Sequence, residues 1–262
     1  MDGKAWQEQD CSELDSVEAL LTTEERQLFS WLAQTRYTGA GEIVDAGAFL
    51  GGSASAFAHG LARNPRVADR SGRIHSFDLF RYKAFFNKEI AALRDMRGGQ
   101  SFLGVFHDQI AQRDTSITLH PGNLTDRTWR GGPIEILMVD CAKTAALNEH
   151  CLRQFFPALV PGVSHLVHQD YASPSRLHWI HSSMYLLRDH FEFAGGVDQG
   201  GSVWFRCVKE ILPATVESVI AQQRSADVVE LAARAARHMA PHGERYARVI
   251  RRTARRHVAA SG

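Results

Sequence analysis

The feature that most constrains the fold of this chain is a repeated alternation of short apolar runs with longer, helix-like segments. Nearly continuous apolar runs of four to six residues are typical of strands buried on both faces of a parallel sheet. The alternation predicts an α/β fold with a doubly wound, Rossmann-like, mainly parallel sheet. The apolar runs are Ile43–Ala46, Ile74–Phe77, Ile117–Leu119, Ile134–Val139 and His165–Val167, and helical spacing occurs in Ser53–Arg63 and Asn148–Leu159.

The order changes after residue 190. Two strand-like runs, Phe191–Val197 and Ser202–Val208, are joined through Asp198–Gly201, which is the pattern of an antiparallel hairpin. We therefore predict a C-terminal hairpin in the sheet. The predicted divisions are a helical extension over 1–40, a Rossmann-like domain over 41–212 and a helical tail over 213–262.

Two further segments lie outside the simple alternation. The stretch from Ser16 to Tyr37 has helical periodicity, and Thr22 or Thr23 is its expected N-cap because acidic residues follow. The stretch 81–114 is too long and too aromatic for a plain crossover, with Phe85, Phe86, Phe102 and Phe106 among its residues. We predict an insertion there, either a lid over the carboxyl edge of the sheet or a helical excursion packed on the core.

The bulk properties exclude several classes of protein. A net charge of +1 gives no global field for a nucleic-acid partner, so none is expected. No apolar run is long enough to span a bilayer, and the first residues lack the pattern of a signal peptide. The four cysteines have no metal-site spacing, so free thiols and a cytoplasmic location are expected, with Cys141 and Cys207 buried in strands.

A glycine-rich turn follows the first predicted strand. It runs from Asp45 to Ser53 and opens a helix, which is the context that a ligand-binding turn requires. Glycine lets the backbone approach a ligand closely, and the first helical N–H groups can hold a carboxylate or phosphate. Such turns also occur in nicotinamide and sugar-nucleotide enzymes, but the spacing here is not GxGxxG.

Acidic and amide side chains follow the next two strands. Asp78 ends the second strand, where a carboxylate can accept both hydroxyls of a ribose, although it can also simply cap the strand end. Asn123 and Asp126 follow the third strand and either frame a base or form an Asx-type turn. A ligand at this edge of the sheet is therefore expected.

A second polar group follows the fourth and fifth strands. Asp140 and Asp170 can share a divalent cation such as Mg²⁺, because hard cations prefer oxygen ligands. His168 can act as a general base, since its ordinary pKa lies near neutrality. Lys143 can pair with a carboxylate or stabilise an anionic oxygen of a substrate. For each residue singly, a structural polar network is an equal alternative.

Two weaker patterns lie in the helical parts. His178 and His181 are three residues apart and face the same way, so they are candidates for contact with substrate or metal, although thirteen histidines make such a pair expected by chance. The tail ends in an arginine-rich helix that either binds phosphate or a membrane surface or, as the simpler alternative, is a solvated face. Its arginines are Arg245, Arg248, Arg251, Arg252, Arg255 and Arg256.

Together these residues resemble class I S-adenosylmethionine-dependent methyltransferases, and most closely the macrocin and mycinamicin type of sugar O-methyltransferase. The resemblance extends from Leu21 to Lys209 and also includes uncharacterised methyltransferase-like proteins. It implies that the cofactor is held by the turn after the first strand, by the acid after the second and by the residues after the third and fourth. The implied cofactor-binding residues are Asp45, Gly47, Phe49, Gly51, Gly52, Ser53, Asp78, Asn123, Asp126 and Asp140.

The chain departs from the metal-dependent members of that family at one position. They carry two adjacent acids where this chain has Gln169 and Asp170. Asp140, Gln169 and Asp170 then form a metal set with one negative charge fewer, so that metal affinity is lowered and His168 becomes the better candidate for proton removal. Asp140, Lys143, His168 and Asp170 are the predicted catalytic residues.

The expected function is methylation of a small molecule, such as a sugar hydroxyl or another atom of a natural product, by S-adenosylmethionine, with Mg²⁺ as an optional cofactor. Two alternatives remain open at this point. The altered residue Gln169 allows a methyltransferase-like enzyme that catalyses another reaction, such as hydroxylation or cyclisation. A non-catalytic binding protein that acts through its arginine-rich tail is the other. A homodimer is compatible with the sequence.

Overall fold

The computed structural model describes residues 4–83, 90–173 and 175–261. The chain divides into two compact units, Met1–Arg127 and Thr128–Gly262. The strands are β1 Glu42–Ala46, β2 Ile74–Asp78, β3 Ile117–Pro121, β4 Ile134–Val139, β5 His165–His168, β6 Phe191–Gly196 and β7 Val203–Cys207. The α-helices are α1 Thr23–Trp31, α2 Gly52–Ala62, α3 Leu103–Ile110, α4 Ala145–Phe155, α5 His178–Leu186, α6 Pro213–Ser225, α7 Val228–Met239 and α8 Glu244–Ser261.

The first unit is built on three parallel strands in the order β3-β2-β1. Asp45 of β1 lies opposite Ser76 of β2, and Phe77 of β2 lies opposite His120 of β3. The four residues from Ile43 to Ala46 are buried, as the apolar run predicted for a strand covered on both faces. This register brings the carboxyl ends of β1 and β2 to one edge.

Helix α1 begins one residue after its N-cap, Thr22. The Thr22 hydroxyl accepts the N–H of Glu25, and the Glu25 carboxylate accepts the N–H of Thr22, which completes a capping box. The predicted N-cap is thus confirmed. The predicted helical start near Ser16 is wrong, because residues 16–22 are not helical. Capping fixes the start of the helix more strongly than the apolar spacing upstream of it does.

The described part of the predicted insertion packs on the glycine-rich turn. Phe80, Phe102 and Phe106 form one buried cluster with Leu50 and other residues of the turn. The Phe80 and Phe106 rings meet edge to face with 5.0 Å between their centroids. The predicted residues Phe85 and Phe86 lie outside the described residues. The insertion therefore forms a hydrophobic cluster of its own above the end of β1.

The second unit contains the other four strands in the order β4-β5-β7-β6. β4 and β5 are parallel, whereas β7 runs antiparallel to both β5 and β6. The β6–β7 hairpin is the predicted one, with a register shift between Phe193 and Gly195. Of the seven strands in the described residues, five have a parallel neighbour, namely β1, β2, β3, β4 and β5. The predicted α/β class with a mainly parallel sheet and a C-terminal antiparallel hairpin is therefore confirmed.

The last three helices form the predicted helical tail. Helix α7 is capped by Asp227, whose carboxylate accepts the N–H of Glu230. Helix α8 packs against α7 with Tyr246, Ala247, Ile250 and Ala254 buried. Among the residues that the structure describes, no helix combines the length and apolarity needed to cross a membrane. The predicted domain limits 1–40, 41–212 and 213–262 stay predictions.

Candidate cofactor and catalytic sites

Asp45 supports the glycine-rich turn from below. Its side chain is 0% exposed. The Ser53 hydroxyl donates to it, lying 2.9 Å from each carboxylate oxygen, and the Ser76 hydroxyl donates to Oδ2 at 3.3 Å. These bonds satisfy a buried charge and join the end of β1 to the start of α2 and to β2. Asp45 and Ser53 thus hold the turn in shape, and their direct contact with a cofactor stays a prediction.

Asp78 is the half-buried acid at the end of β2. Its Oδ2 accepts the N–H of Phe49 at 3.0 Å, and its Oδ1 accepts the N–H of Phe80 at 2.7 Å. Burial raises the pKa of Asp78, and the two N–H groups oppose that rise. Each oxygen keeps a further lone pair for a hydroxyl, because one N–H occupies only one acceptor position.

The two residues that donate to Asp78 have an uncommon backbone. Phe49 has φ 46° and Phe80 has φ 50°, which places both non-glycine residues in the left-handed region. Such conformations cost about 1–3 kcal/mol each and persist where surrounding bonds enforce them, often at functional sites. One carboxylate therefore holds the turn after β1 and the segment after β2 together. Phe80 was not identified from the sequence, because no residue pattern predicts a left-handed backbone conformation for a phenylalanine.

The glycines of the turn separate into two groups. Gly47 and Phe49 are partly exposed beside Asp78, whereas Gly51 and Gly52 are buried. A Cβ on Gly51 would lie 2.9 Å from Cγ2 of Ile110, and one on Gly52 would lie 2.3 Å from Cβ of Ala19. Glycine at these two positions thus leaves room for Ile110 and Ala19, which are residues of the protein itself. The contact of Gly51 and Gly52 with a cofactor stays a prediction. Such a contact would be made by their backbone atoms, because glycine has no side chain.

Gln109 of α3 joins three parts of the first unit. Its side-chain N–H donates to the carbonyl of Leu50 at 2.7 Å and to that of Glu18 at 3.3 Å. Its side-chain oxygen accepts the N–H of Glu18 at 2.5 Å. The Glu18 carboxylate in turn accepts the N–H groups of Ala91 and Ala92. No local pattern connects Gln109 with Glu18, because they are 91 residues apart in the sequence.

The turn after β3 is organised as an Asx turn. The Asn123 side-chain oxygen accepts the N–H of Thr125 at 3.3 Å, and both Asn123 and Asp126 are exposed. The N–H of Gly122 donates to the backbone carbonyl of Asp78 at 2.9 Å, which places this turn beside the acid. The Asx-type turn, which was one of the two predicted alternatives, is therefore present. Contact of Asn123 and Asp126 with an adenine stays a prediction.

These residues fit the adenosine part of S-adenosylmethionine. Asp78 is accessible, fixed by two N–H groups and still able to accept two hydroxyls. Asp78 and the exposed Asn123 are the residues that would hold the nucleoside, and the partly exposed Gly47 and Phe49 would line the path beside it. At the other end of the turn, Ala19 and Ile110 lie against Gly52 and Gly51.

In the second unit, Lys143 joins the two predicted carboxylates. Its ammonium group donates to Oδ1 of Asp140 and to Oδ2 of Asp170. Partial burial lowers the pKa of Lys143, but the neighbouring carboxylates of Asp140 and Asp170 outweigh this and raise it. Lys143 is therefore a permanent cation at the carboxyl ends of β4 and β5. The sequence placed these three residues together correctly.

The predicted Mg²⁺ set does not fit a divalent cation. The Lys143 ammonium bridges Asp140 and Asp170, the two carboxylates that the metal would need. Gln169 supplies no charge to offset a second cation. In the described ranges, no group of three or more histidine, cysteine, aspartate or glutamate side chains is placed to hold a metal. The cation that bridges the two carboxylates is Lys143. The assignment of Asp140, Gln169 and Asp170 to a metal therefore finds no support in this arrangement and stays a prediction.

His168 is the predicted general base, and its surroundings do not suit that role. The side chain is 2% exposed, and neither ring nitrogen has a hydrogen-bond partner among the described residues. Burial, with a smaller contribution from His181, lowers the pKa of His168 to about 3. A base must reach the proton that it removes. The structure thus places His168 as a buried, neutral residue of β5, and its role as a general base stays a prediction.

The histidines of α5 are separated by their environments. His181 is buried, and its Nε2 lies 2.8 Å from the carbonyl oxygen of Tyr171, which makes it a structural residue. His178 is half-buried with its ring 4.1 Å from that of His257. It lines a cavity of about 120 Å³ together with Glu149, Trp179 and other residues of α4, α6 and α7. The Trp179 indole N–H donates to the carbonyl of Ala142 at 2.7 Å.

The four cysteines are free thiols, as predicted. Cys207 is buried in β7, which confirms its predicted place. Cys141 follows β4 instead of lying in it, so that part of the prediction is wrong by two residues. Its sulfur lies 3.4 Å from that of Cys151. The hydrogen bond between the thiols and burial raise the pKa of Cys141, so its thiol stays protonated at neutral pH.

No family model matches the chain, and no curated protein matches it either. Several solved structures are similar over part of the chain. A putative rRNA methylase from Clostridium thermocellum is 12% identical with a TM-score of 0.46, covering 74% of this chain and 100% of that one. A putative O-methyltransferase from Klebsiella pneumoniae is 14% identical with a TM-score of 0.45, covering 74% and 84%.

A third similar structure is a TDP-rhamnose 3'-O-methyltransferase of calicheamicin biosynthesis. It is 14% identical with a TM-score of 0.45, covering 70% of this chain and 78% of that one. These identities are too low to transfer an activity, and the structural agreement is partial. The function is therefore argued below from the residues of this chain.

Proposed function

We propose that the chain is a class I S-adenosylmethionine-dependent methyltransferase that methylates an oxygen of a small molecule, such as a sugar or a secondary metabolite. The observation that carries the proposal is the geometry at Asp78. An accessible carboxylate at the end of β2 is fixed by the N–H of Phe49, which belongs to the glycine-rich turn after β1. A diol-binding acid beside such a turn is the arrangement by which α/β proteins hold an adenosine.

The cofactor would supply an activated methyl group bonded to a sulfonium. The chain has then to bind the acceptor, orient its oxygen and take up a proton. Asp140 and Asp170 are the groups that can accept a hydrogen bond or a proton from the acceptor hydroxyl, because Lys143 stays protonated between them. Lys143 fixes the two carboxylates and offsets their charge. This reaction requires no divalent cation.

The cavity of the second unit supports a small acceptor. Its volume of about 120 Å³ is of the order that accepts a single six-membered ring. Trp179 provides an aromatic wall, and His178 and the ion pair of Glu149 with Arg224 provide polar groups. The bond from Trp179 to Ala142 connects this wall to the turn that carries Asp140 and Lys143. A ring with hydroxyl substituents matches such a mixture of aromatic and polar groups.

The proposal is tested by calorimetric titration with S-adenosylmethionine and S-adenosylhomocysteine. We expect micromolar binding, about −8 kcal/mol. In Asp78→Asn the affinity falls by at least tenfold, because one carboxylate oxygen becomes a donor that cannot accept a ribose hydroxyl. Asp69→Asn is the matched control, since Asp69 is an exposed acid of the same unit. If the unaltered protein binds neither compound, the proposal is wrong.

Transfer of the methyl group is measured separately. A tritium-labelled methyl donor is incubated with the protein and a library of sugars and natural products, and label in the organic products is counted. Label that appears without added metal and persists in EDTA supports the roles given to Lys143, Asp140 and Asp170. Tight cofactor binding with no labelled product from any acceptor favours the alternative of a non-methylating enzyme.

A further inference from the structure

The charge of this protein is separated between one helix and the rest of the chain. Helix α8 carries six arginines and one glutamate between Glu244 and Ser261, which gives it a charge of +5. The whole chain has a charge of +1, so the other residues together carry −4. The near-neutral total hides this separation. Strong asymmetry of this kind is typical of a segment that binds a polyanion.

The arginines of α8 project away from the core. At 100° per residue, Arg248, Arg252 and Arg255 lie within an arc of about 60°, with Arg251 beside them. Tyr246, Ile250 and Ala254 are buried on the opposite side of the helix. Arg248, Arg251, Arg252 and Arg255 are all exposed. The basic stripe, defined as these four residues, therefore faces solvent over roughly 10 Å of helix.

Most of the basic stripe is not neutralised within the chain. Arg251 pairs with Glu244 at 3.1 Å. In the part of the chain that the structure describes, neither an ion pair nor a hydrogen bond engages the side chains of Arg248, Arg252 and Arg255. Three guanidinium groups on one face repel one another unless an anion lies across them. Such a face suits a ligand with several phosphates in a row.

We propose that the basic stripe of α8 binds the phosphate backbone of a nucleic-acid strand. Arginine presents a planar fork of donors that matches a phosphate, and α8 uses arginine at all six of its Lys or Arg positions. A membrane suits the stripe less well. An interfacial helix inserts its apolar face into the lipid, and the apolar face of α8 is already packed against α7.

Binding is measured by fluorescence anisotropy with a labelled single-stranded RNA and a DNA of the same sequence, from 50 to 200 mM salt. Three or four phosphate contacts give a slope of about −2 to −3 in log K against log salt, or roughly 20- to 50-fold weaker binding over this range. The variant with Arg248→Gln, Arg252→Gln and Arg255→Gln is expected to bind at least tenfold more weakly and to lose most of that slope.

The control changes the same charge elsewhere. Arg66→Gln, Arg94→Gln and Arg130→Gln remove three exposed cations outside α8 and should leave both affinity and slope nearly unchanged. Far-ultraviolet circular dichroism confirms that α8 stays helical in both variants. Equal losses in the two variants would overturn the proposal, since net charge alone would then explain binding. Binding to vesicles with 30% phosphatidylserine but to neither nucleic acid would overturn it in favour of a lipid surface.

Discussion

The two units hold their strand-end carboxylates in different ways. In the first unit, Asp45 is satisfied by two serine hydroxyls and Asp78 accepts two backbone N–H groups. In the second unit, Asp140 and Asp170 are bridged by the ammonium group of Lys143. Dipolar donors stabilise a carboxylate and leave its charge in place, whereas a lysine also cancels part of it.

This difference suits the two ligands of the proposed reaction. S-adenosylmethionine carries a positive sulfonium, and a region that keeps the negative charge of Asp78 attracts it. A sugar or similar acceptor is neutral, and a region in which Lys143 offsets one of the two carboxylate charges suits it better. The same residue type thus serves two purposes, and its neighbours determine which one.

The largest expected effect tests whether Asp45 is structural. Asp45→Ala leaves the hydroxyls of Ser53 and Ser76 without their buried acceptor and creates a small cavity. The free energy of unfolding is expected to fall by about 3–5 kcal/mol, measured by urea denaturation. The exposed acid Asp95, changed to Ala, is the control and should stay within about 0.5 kcal/mol of the unaltered protein. If the stability of Asp45→Ala changes as little as that of the control, Asp45 is not a structural residue and the description of the first unit is wrong.

The second prediction removes the cation from the other region. In Lys143→Met, Asp140 and Asp170 repel each other and lose their fixed orientation. Methyl transfer is expected to slow by 10- to 100-fold, about 1.4–2.8 kcal/mol, mainly in kcat. Stability should change by no more than about 1 kcal/mol, because the Lys143 side chain is 49% exposed and screened by solvent.

The same variant exposes the relation between lysine and metal. Without the ammonium group, the two carboxylates become available to a divalent cation. Isothermal titration with Mn²⁺ should detect binding in Lys143→Met and none in Lys143→Arg, which keeps the positive charge. Equal Mn²⁺ binding by the unaltered protein would show that Lys143 does not occupy the site.

The third prediction concerns pH and His168. Its folded pKa of about 3 lies below the ordinary value near 6.5, so the unfolded chain binds more protons between these values. Stability from this residue is complete above about pH 6.5 and is lost as the pH falls toward 3. His168→Leu should be as stable as the unaltered protein at pH 7, because neither ring nitrogen has a partner in the described structure.

Below pH 6 the His168→Leu variant should lose stability more slowly, by up to about 1.4 kcal/mol per pH unit. Urea denaturation from pH 7 to pH 4 measures the two slopes. The exposed His107, changed to Gln, should leave the slope unaltered. Full methyl-transfer activity in His168→Leu would agree with its role as a core residue, whereas its loss without unfolding would restore His168 as the base.

The smallest expected effect sharpens the description of the first region. Gln109→Leu removes the hydrogen bonds to Leu50 and Glu18 and keeps the size of the side chain. We expect the free energy of unfolding to fall by about 1 kcal/mol and the affinity for S-adenosylhomocysteine to fall by a few-fold. The effect is small because the glycine-rich turn loses one supporting hydrogen bond, whereas its contacts with the ligand are kept. An unchanged affinity would mean that Gln109 holds the N-terminal segment alone.

Much of this architecture is readable from the sequence. The apolar runs located β1, β4 and β5, because burial on both faces leaves a strong local signal. Such runs also located β2 and the less buried β3, and the hairpin pattern located β6 and β7. The meeting of Asp140, Lys143 and Asp170 also followed from strand order, since residues after parallel neighbours share an edge. The burial of His168 was not readable, because a histidine at a strand end is polar in sequence whichever face it occupies.

Other features depend on distant parts of the chain. Gln109 and Glu18 are 91 residues apart, and no local pattern connects them. The closeness of Ala19 to Gly52 likewise depends on the path of the N-terminal segment, which was predicted as helix and is irregular. The charge asymmetry was present in the sequence, but the exposure of Arg248, Arg252 and Arg255 required the packing of α8 to be known.

The bridge made by Lys143 has a consequence for the history of such proteins. Two carboxylates at neighbouring strand ends need a cation between them, and either a lysine side chain or a bound metal ion provides it. Gln169 stands where metal-dependent members of the family that the sequence resembles carry a second acid, and a site whose cation is a lysine does not need that acid. Across descendants of a common ancestor, a lysine at position 143 and an acid at position 169 should exclude each other.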